Sequence, residues 1–144
     1  MHKTPIKILL VEDNEGDILL MTEALEECQV PNELIIRRDG FEAIHFLASS
    51  ANQNPKTLPG LILLDINLPK KNGHEVLENV KNDQNLKHIP IIMLTTSSLE
   101  SDILRAYQKH ANCYLTKPLE VSEFFNITAK IEEFWLTMVR LPKL

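Results

Sequence analysis

The sequence predicts a doubly wound α/β domain, in which helices cover both faces of a parallel β-sheet. Short runs of bulky apolar residues alternate five times with longer amphipathic stretches along the chain. The apolar runs are continuous rather than interrupted at every second position, which is typical of strands that are buried on both faces. Regular alternation of strand and helix favours right-handed crossovers between parallel strands.

The strand predictions follow from the apolar runs. Each run is rich in Ile, Leu or other apolar residues and is short enough to be a strand rather than a helix. We predict strands over residues 6–12, 33–38, 60–66, 90–96 and 112–117.

The amphipathic stretches between the runs are predicted to be helices, and several carry local start or stop signals. Pro31 ends the first helix, and Asn72-Gly73 opens the third. Ser98 or Ser101 can cap the fourth. The predicted helices cover residues 15–29, 41–50, 72–83, 98–111 and 120–141. The polar, turn-rich residues 49–59 are predicted to form a surface loop.

Length and composition favour one cytoplasmic domain. A chain of 144 residues with 44% hydrophobic residues can bury a substantial core, so we predict a single domain over residues 1–144. We find no apolar run of about eighteen residues that could span a membrane, and residues 1–5 lack the apolar stretch of a secretory signal. The net charge of −5 argues against a nucleic-acid partner. Cys28 and Cys113 are predicted to be buried thiols in a reducing compartment.

Polar side chains follow four of the predicted strands at their carboxyl ends. Glu12 and Asp13 follow the first strand, Asp65 the third, Thr95 the fourth and Lys117 the fifth. In open parallel sheets, ligands bind outside the carboxyl ends of the strands. We therefore predict that these groups meet in one acidic pocket with a lysine beside it.

The acidic residues of this pocket have the chemistry of a magnesium site. Mg²⁺ typically takes one or two carboxylates and keeps several waters. Glu12, Asp13 and Asp65 fit that demand, and the backbone carbonyl of Asn67 lies where it could complete the metal shell. With a divalent cation bound, Asp65 could act as a nucleophile toward phosphorus and form an aspartyl phosphate.

Simpler structural roles exist for each of these residues taken alone. An Asp after a strand is most often a turn or helix-cap residue, and a single Lys is usually solvated. Residues 95–98 hold several hydroxyls that could cap a helix. In the joint arrangement, however, Lys117 and Thr95 can supply the cationic and hydroxyl partners that a phosphoryl group on Asp65 needs. The joint arrangement favours phosphoryl chemistry.

Four motifs in the chain resemble those of the receiver domain of two-component response regulators. The resemblance covers essentially the whole chain, in the order and spacing of that family. It implies a flavodoxin-like fold, with a five-stranded parallel sheet in the order 2-1-3-4-5, five helices and, in this chain, a long C-terminal helix. The motifs are Val11-Glu12-Asp13-Asn14, Leu64-Asp65-Ile66-Asn67-Leu68-Pro69, Leu94-Thr95-Thr96 and Leu115-Thr116-Lys117-Pro118.

The resemblance implies that a histidine kinase phosphorylates the chain in a Mg²⁺-dependent reaction and that this switches a protein-interaction surface. It also implies a cis Lys117–Pro118 peptide bond. The implied residue roles are Asp65 as phosphoacceptor, Asp13 as direct Mg²⁺ ligand, Glu12 as ligand through water, Asn67 as carbonyl ligand, Thr95 as switch hydroxyl, Lys117 as phosphoryl clamp and Tyr114 as switch aromatic.

The last predicted helix is apolar around more of its circumference than a single core-facing stripe requires. We expect its second half to extend past the sheet and to form a homodimer. Residues 131–136, together with residues 95–97 and 112–114, resemble the small receivers that serve cyanobacterial phytochrome histidine kinases. A phytochrome kinase is therefore an expected partner.

Three alternative functions make different demands on the sequence. A haloacid-dehalogenase-like phosphatase needs a second Asp two residues after its nucleophile, whereas Asn67 stands there and cannot exchange a proton in that role. A nucleotide-binding domain needs a Gly-rich loop, and the four glycines of the chain are scattered. A receiver-like docking module that works without phosphorylation is the third alternative. We expect a signalling protein rather than an enzyme.

Overall fold

The computed structural model of the protein describes residues 4–142, and within that range five strands form one parallel sheet. The strand order is β2-β1-β3-β4-β5, as the resemblance implied. Residues 1–3 and 143–144 of the predicted domain lie outside the described residues. The strands are β1 (Ile6–Val11), β2 (Asn32–Arg37), β3 (Leu61–Leu64), β4 (Ile91–Thr95) and β5 (Cys113–Thr116).

The helices alternate with the strands as predicted, and they differ from the prediction mainly at their ends. A 3₁₀ turn, Pro55–Thr57, lies in the predicted loop before β3. The α-helices are α1 (Glu15–Glu26), α2 (Gly40–Gln53), α3 (Gly73–Lys81), α4 (Glu100–Gln108) and α5 (Val121–Ile131). A π-helical segment, Glu132–Met138, continues α5 without a break and completes the long C-terminal helix. That helix ends before the predicted residue 141, because Val139 adopts an extended backbone.

Side chains of alternate strand residues point to opposite faces of the sheet, and each face carries its own apolar cluster. Leu9 and Val11 belong to the cluster that includes residues of α2, α3 and α4. Ile8 and Leu10 belong to the cluster that includes residues of α1 and of the C-terminal helix. Both faces are therefore covered, which explains why the strands are continuously apolar in sequence.

Several smaller expectations can be compared with the structure. The described residues contain no cis peptide bond, so the expected cis Lys117–Pro118 bond is wrong. The trans isomer is the one that an X–Pro bond ordinarily favours, by ~0.5–1 kcal/mol.

Cys28 and Cys113 are free, half-buried thiols, and burial raises the pKa of Cys28 to about 11. Among residues 4–142, we find no helix with the length and apolar character needed to cross a bilayer.

Candidate functional site

The polar residues predicted to meet at the carboxyl edge of the sheet do lie together there. Glu12, Asp65, Thr95 and Lys117 are buried, whereas Asp13 is exposed. One carboxylate oxygen each from Glu12, Asp13 and Asp65 lies within 4.8 Å of the others. Four strands that are distant in sequence thus deliver these side chains to one place.

Backbone hydrogen bonds of the sheet continue past the strand ends and fix where these side chains begin. The Glu12 N–H donates to the Arg37 carbonyl at 3.0 Å, and the Asp65 N–H donates to the Val11 carbonyl at 3.1 Å. On the other side of the sheet, the Lys117 N–H donates to the Thr95 carbonyl at 2.7 Å. Because the backbone of each residue is held by the sheet, the side chains start from a rigid edge.

The loop after β3 turns back tightly on the residue that carries the central carboxylate. The Gly73 N–H donates to the Ile66 carbonyl at 2.8 Å, and a Cβ on Gly73 would overlap the Asp65 carbonyl oxygen. Only glycine allows α3 to begin so close to this backbone. Asn67 is exposed in this loop, and its N–H lies 3.4 Å from Asp65 Oδ1.

The Lys117 ammonium contacts three carboxylates. It donates to Glu12 Oε1, to Asp17 Oδ2 at 2.9 Å and to Asp65 Oδ2 at 3.1 Å. Burial alone would lower the pKa of Lys117, but the hydrogen bonds to Asp17 and Glu12 and the charge of Asp65 outweigh burial and raise that pKa. The lysine is therefore charged at neutral pH.

The same surroundings favour the charged form of Lys117 but disfavour the charged form of Glu12. Burial raises the pKa of the Glu12 carboxyl to about 7, and the nearby Asp65 charge adds to the rise, while the hydrogen bond from Lys117 opposes it. Even apart from Glu12, the carboxyl groups of Asp13, Asp17 and Asp65 outnumber the single lysine at the site.

The donor set fits a divalent cation that prefers oxygen ligands. Opposite ligands of Mg²⁺ are separated by about 4 Å, so oxygens within 4.8 Å of one another need only small side-chain adjustments to share one ion. A cation there would also relieve the mutual repulsion of Glu12, Asp13 and Asp65. The chemistry and spacing of this cluster therefore fit a divalent metal site.

Thr95 ends β4, and Tyr114 lies in the neighbouring strand β5. Thr95 is completely buried, and its hydroxyl lies 3.5 Å from the Ser97 N–H. Tyr114 is half-buried against the apolar cluster of α2, α3 and α4, and its hydroxyl donates to the Ser97 carbonyl at 2.9 Å. In this structure Tyr114 already contacts the loop that follows Thr95.

Sequence reasoning missed four residues that the structure brings to this region. Asp17 contacts Lys117 from the first turn of α1, one helical turn after Asn14, and no strand-end pattern marks it. His74, Ser97 and Asp102 form hydrogen bonds among the elements around Tyr114. In sequence, Ser97 and Asp102 resemble ordinary helix-cap residues, and a single His carries no signal of its own.

Comparisons with known proteins agree with this geometry. A family model described as the response regulator receiver domain matches residues 8–129. Response regulator Rcp1 from Synechocystis sp. is 46% identical over 138 residues, which cover 96% of this chain and 94% of Rcp1.

Two solved structures are similar over almost the whole chain. The phosphorylated cyanobacterial phytochrome response regulator RcpA has a TM-score of 0.91 at 48% identity and covers 97% of this chain and 100% of its own. The Mn²⁺-bound form of Rcp1 has a TM-score of 0.90 at 46% identity and covers 96% and 100%.

Proposed function

Because the chain belongs to the response regulator receiver family, we propose that it is a phosphoryl-accepting switch in which a histidine kinase phosphorylates Asp65. One observation carries the choice of residue. Asp65 is a buried carboxylate at the end of β3, with the charged Lys117 amine 3.1 Å away and two further acids beside it. A buried carboxylate with these neighbours has a nucleophile's position rather than that of a turn residue.

In the proposed reaction, a carboxylate oxygen of Asp65 attacks the phosphorus of a phosphohistidine. The new O–P bond forms as the P–N bond breaks, and the imidazole leaves with the electron pair. A divalent cation held by Glu12, Asp13, Asp65 and the Asn67 carbonyl would offset the negative charge of the phosphoryl oxygens. Lys117 already points at Asp65 and would donate to one of those oxygens.

The proposed readout begins at Thr95. Its buried hydroxyl would donate to another phosphoryl oxygen, which draws the β4–α4 loop toward Asp65. The Tyr114 hydroxyl bonds the Ser97 carbonyl in that same loop, so a movement of the loop reaches β5 directly. The surface of α4, β5 and α5 would change as a result.

The proposed partner is a sensor kinase of the phytochrome type. This is supported by likeness to RcpA, which is described as a cyanobacterial phytochrome response regulator. In a phosphorelay of this kind the chain would act in the cytoplasm as a signalling domain, formed by residues 1–144, rather than as an enzyme. Its excess of acidic residues supports a protein partner over a nucleic acid.

The proposal includes a homodimer formed through the C-terminal helix. The apolar surface available there is smaller than the sequence suggested, because Ile131 and Leu136 are buried against the sheet. Phe134 and Met138 remain 48% and 68% exposed. Trp135 packs edge-on against Phe134, with ring centroids 5.6 Å apart. These side chains form an apolar surface suited to a second copy of the helix.

Intact-mass measurement after incubation with Mg²⁺ and acetyl phosphate tests the proposed phosphoacceptor. We expect one base-labile phosphoryl adduct on the wild type and on Asp83→Asn, a substitution away from the site. The adduct should be absent from Asp65→Asn and from samples containing EDTA. A folded wild type without an adduct would instead support a docking module that works without phosphorylation.

A further inference from the structure

A chain of side-chain hydrogen bonds links α3 to the loop that Tyr114 contacts. His74 Nε2 lies 3.1 Å from Asp102 Oδ1, and the Ser97 hydroxyl donates to Asp102 Oδ2 at 2.6 Å. The carbonyl of the same Ser97 accepts from the Tyr114 hydroxyl at 2.9 Å. We call His74, Asp102 and Ser97 the latch.

The protonation states in the latch follow from its geometry. Hydrogen bonds from Ser97 and His74 hold the pKa of the Asp102 carboxyl below its usual range, so the carboxylate is ionised and can only accept. His74 Nε2 must therefore carry the proton. His74 is only 2% exposed, and its Nδ1 has no hydrogen-bond partner among the described residues. A single charge-assisted bond thus fixes the orientation of this buried ring.

The latch joins two segments that carry site residues. His74 follows Gly73, which packs against the backbone of Asp65 and Ile66. Asp102 lies in the first turn of α4, directly after the loop that begins at Thr95. The latch therefore ties the loop after Asp65 to the loop after Thr95.

We propose that His74 is a positioning residue that holds the Tyr114 ring against the apolar cluster of α2, α3 and α4, a position that we call inward, before any phosphoryl transfer. His74 orients Asp102, Asp102 fixes the Ser97 side chain, and the Ser97 carbonyl is thereby presented to the Tyr114 hydroxyl. The inference rests on the proposed function only for the roles of Thr95 and Tyr114 as switch residues. It adds a fixed link from α3 that biases the switch toward its inward state.

A purely structural role can be separated from this one. Asp102 stabilises the first turn of α4 through its charge whether or not His74 is present. Among the described residues the His74 side chain bonds only Asp102 and no backbone N–H of α4, so its loss should leave this charge–dipole stabilisation intact. Its effect should appear in the position of the Tyr114 ring rather than in the stability of α4.

The ring signals of tyrosine in the unphosphorylated, metal-free protein provide the test. The chain contains two tyrosines, so the Tyr114 ring is assigned by one Tyr107→Phe sample. In the wild type we expect nuclear Overhauser effects from the Tyr114 ring to buried residues of β4 and α4. His74→Leu keeps the buried volume but removes the donor, and should lower the ratio of inward to outward rings by about threefold to tenfold.

Two further variants make the outcome specific. His74→Gln supplies an amide donor and should restore the wild-type Tyr114 signals. Thr128→Val removes a hydrogen bond from a side chain that is likewise 2% exposed, but in α5, and should leave Tyr114 unchanged. Wild-type Tyr114 signals in folded His74→Leu, or an outward ring in the wild type, would overturn the proposal. If His74→Leu does not fold, Ser97→Ala is measured instead. It should also lower the ratio of inward to outward rings, and wild-type Tyr114 signals in folded Ser97→Ala would likewise overturn the proposal.

This test does not depend on phosphorylation. The same spectra can be recorded on Asp65→Asn, which cannot form an aspartyl phosphate. A failed acetyl phosphate experiment with a latch-dependent Tyr114 would reject Asp65 as phosphoacceptor and keep the latch. A phosphorylated Asp65, together with a Tyr114 ring that is unaffected by His74→Leu, would keep Asp65 as phosphoacceptor and reject the latch.

Discussion

Asp17 Oδ2 lies 2.9 Å from Lys117 Nζ, which adds a carboxylate from α1 to the pair from β1 and β3. The Asn14 side chain fixes this turn of α1 by accepting the Asp17 N–H at 2.9 Å. Lys117 is consequently held by acids from three elements before a phosphoryl group arrives. The lysine compensates part of the negative charge at the site, and its charge opposes that of a metal ion bound beside it.

Replacing Lys117 by Met should therefore strengthen Mg²⁺ binding. Two unit charges ~4 Å apart interact by ~1 kcal/mol even in bulk water, and a divalent cation doubles this, so removing a positive charge close to the ion should raise the affinity by about tenfold. Isothermal titration with Mg²⁺ at low ionic strength measures the change. Lys109→Met removes a lysine that pairs with Glu78 away from the site and should leave the affinity within about twofold, because exposed pairs contribute little. An unchanged or weaker affinity in Lys117→Met would contradict this electrostatic account.

The raised pKa of Glu12 predicts how the stability of the metal-free protein depends on pH. Its ordinary value is 4.5, and burial raises it to about 7 in the fold. Between these values the folded state binds more protons than the unfolded state, so the free energy of unfolding should fall as pH rises through this window. The lowered pKa values of Glu15 and Asp102 affect stability only at pH values below this window, and the raised pKa of Lys117 affects it only above the window.

Urea unfolding in EDTA at several pH values between 4.5 and 7.5 checks this. Glu12→Gln should remove part of the decline, and its difference from the wild type isolates the contribution of Glu12. Glu23→Gln, an exposed glutamate in α1, is the matched control and should follow the wild type. Parallel curves for Glu12→Gln and the wild type would show that Glu12 is not protonated on folding.

The sheet and the strand-end residues could be predicted because each depends on a local pattern. Continuous apolar runs gave the strands, and parallel pairing then forces Glu12, Asp65, Thr95 and Lys117 to one edge. Asp17 and His74 could not be predicted in this way. Their partners lie 100 and 28 residues away along the chain and depend on how helices pack, which periodicity does not encode. The predicted end of the last helix, at residue 141, was wrong for a similar reason. The apolar pattern in the sequence continues beyond Val139, where the backbone becomes extended and the helix ends.

His110 is a residue whose replacement should stabilise the protein. It has a φ of 72° and follows Lys109, the C-cap of α4. The Ala111 N–H donates to the Ala106 carbonyl at 3.0 Å, and the His110 N–H donates to the Tyr107 carbonyl at 3.0 Å. This is the hydrogen-bond pattern of a Schellman motif, whose left-handed position favours glycine. His110→Gly should raise the free energy of unfolding by ~0.5–1 kcal/mol, measured by urea denaturation. The neighbouring Lys109→Gly, at a φ of −92°, should lower it instead.

The exposed apolar surface of the C-terminal helix predicts the oligomeric state. Phe134 and Met138 are separated by one helical turn, so a charge at both positions would place two carboxylates in the centre of the proposed contact. Burying an unpaired charge is strongly unfavourable, and Phe134→Glu/Met138→Glu should therefore be monomeric at concentrations where the wild type is dimeric. Sedimentation velocity over a concentration series measures both states. Phe41→Glu replaces an aromatic side chain of similar exposure on α2, whose buried residues belong to the cluster on the opposite face of the sheet, and should remain dimeric. If Phe41→Glu dissociates the dimer and the double substitution does not, the dimer contact lies on the α2 face. If the wild type is monomeric throughout the series, the homodimer is no longer part of the proposed function.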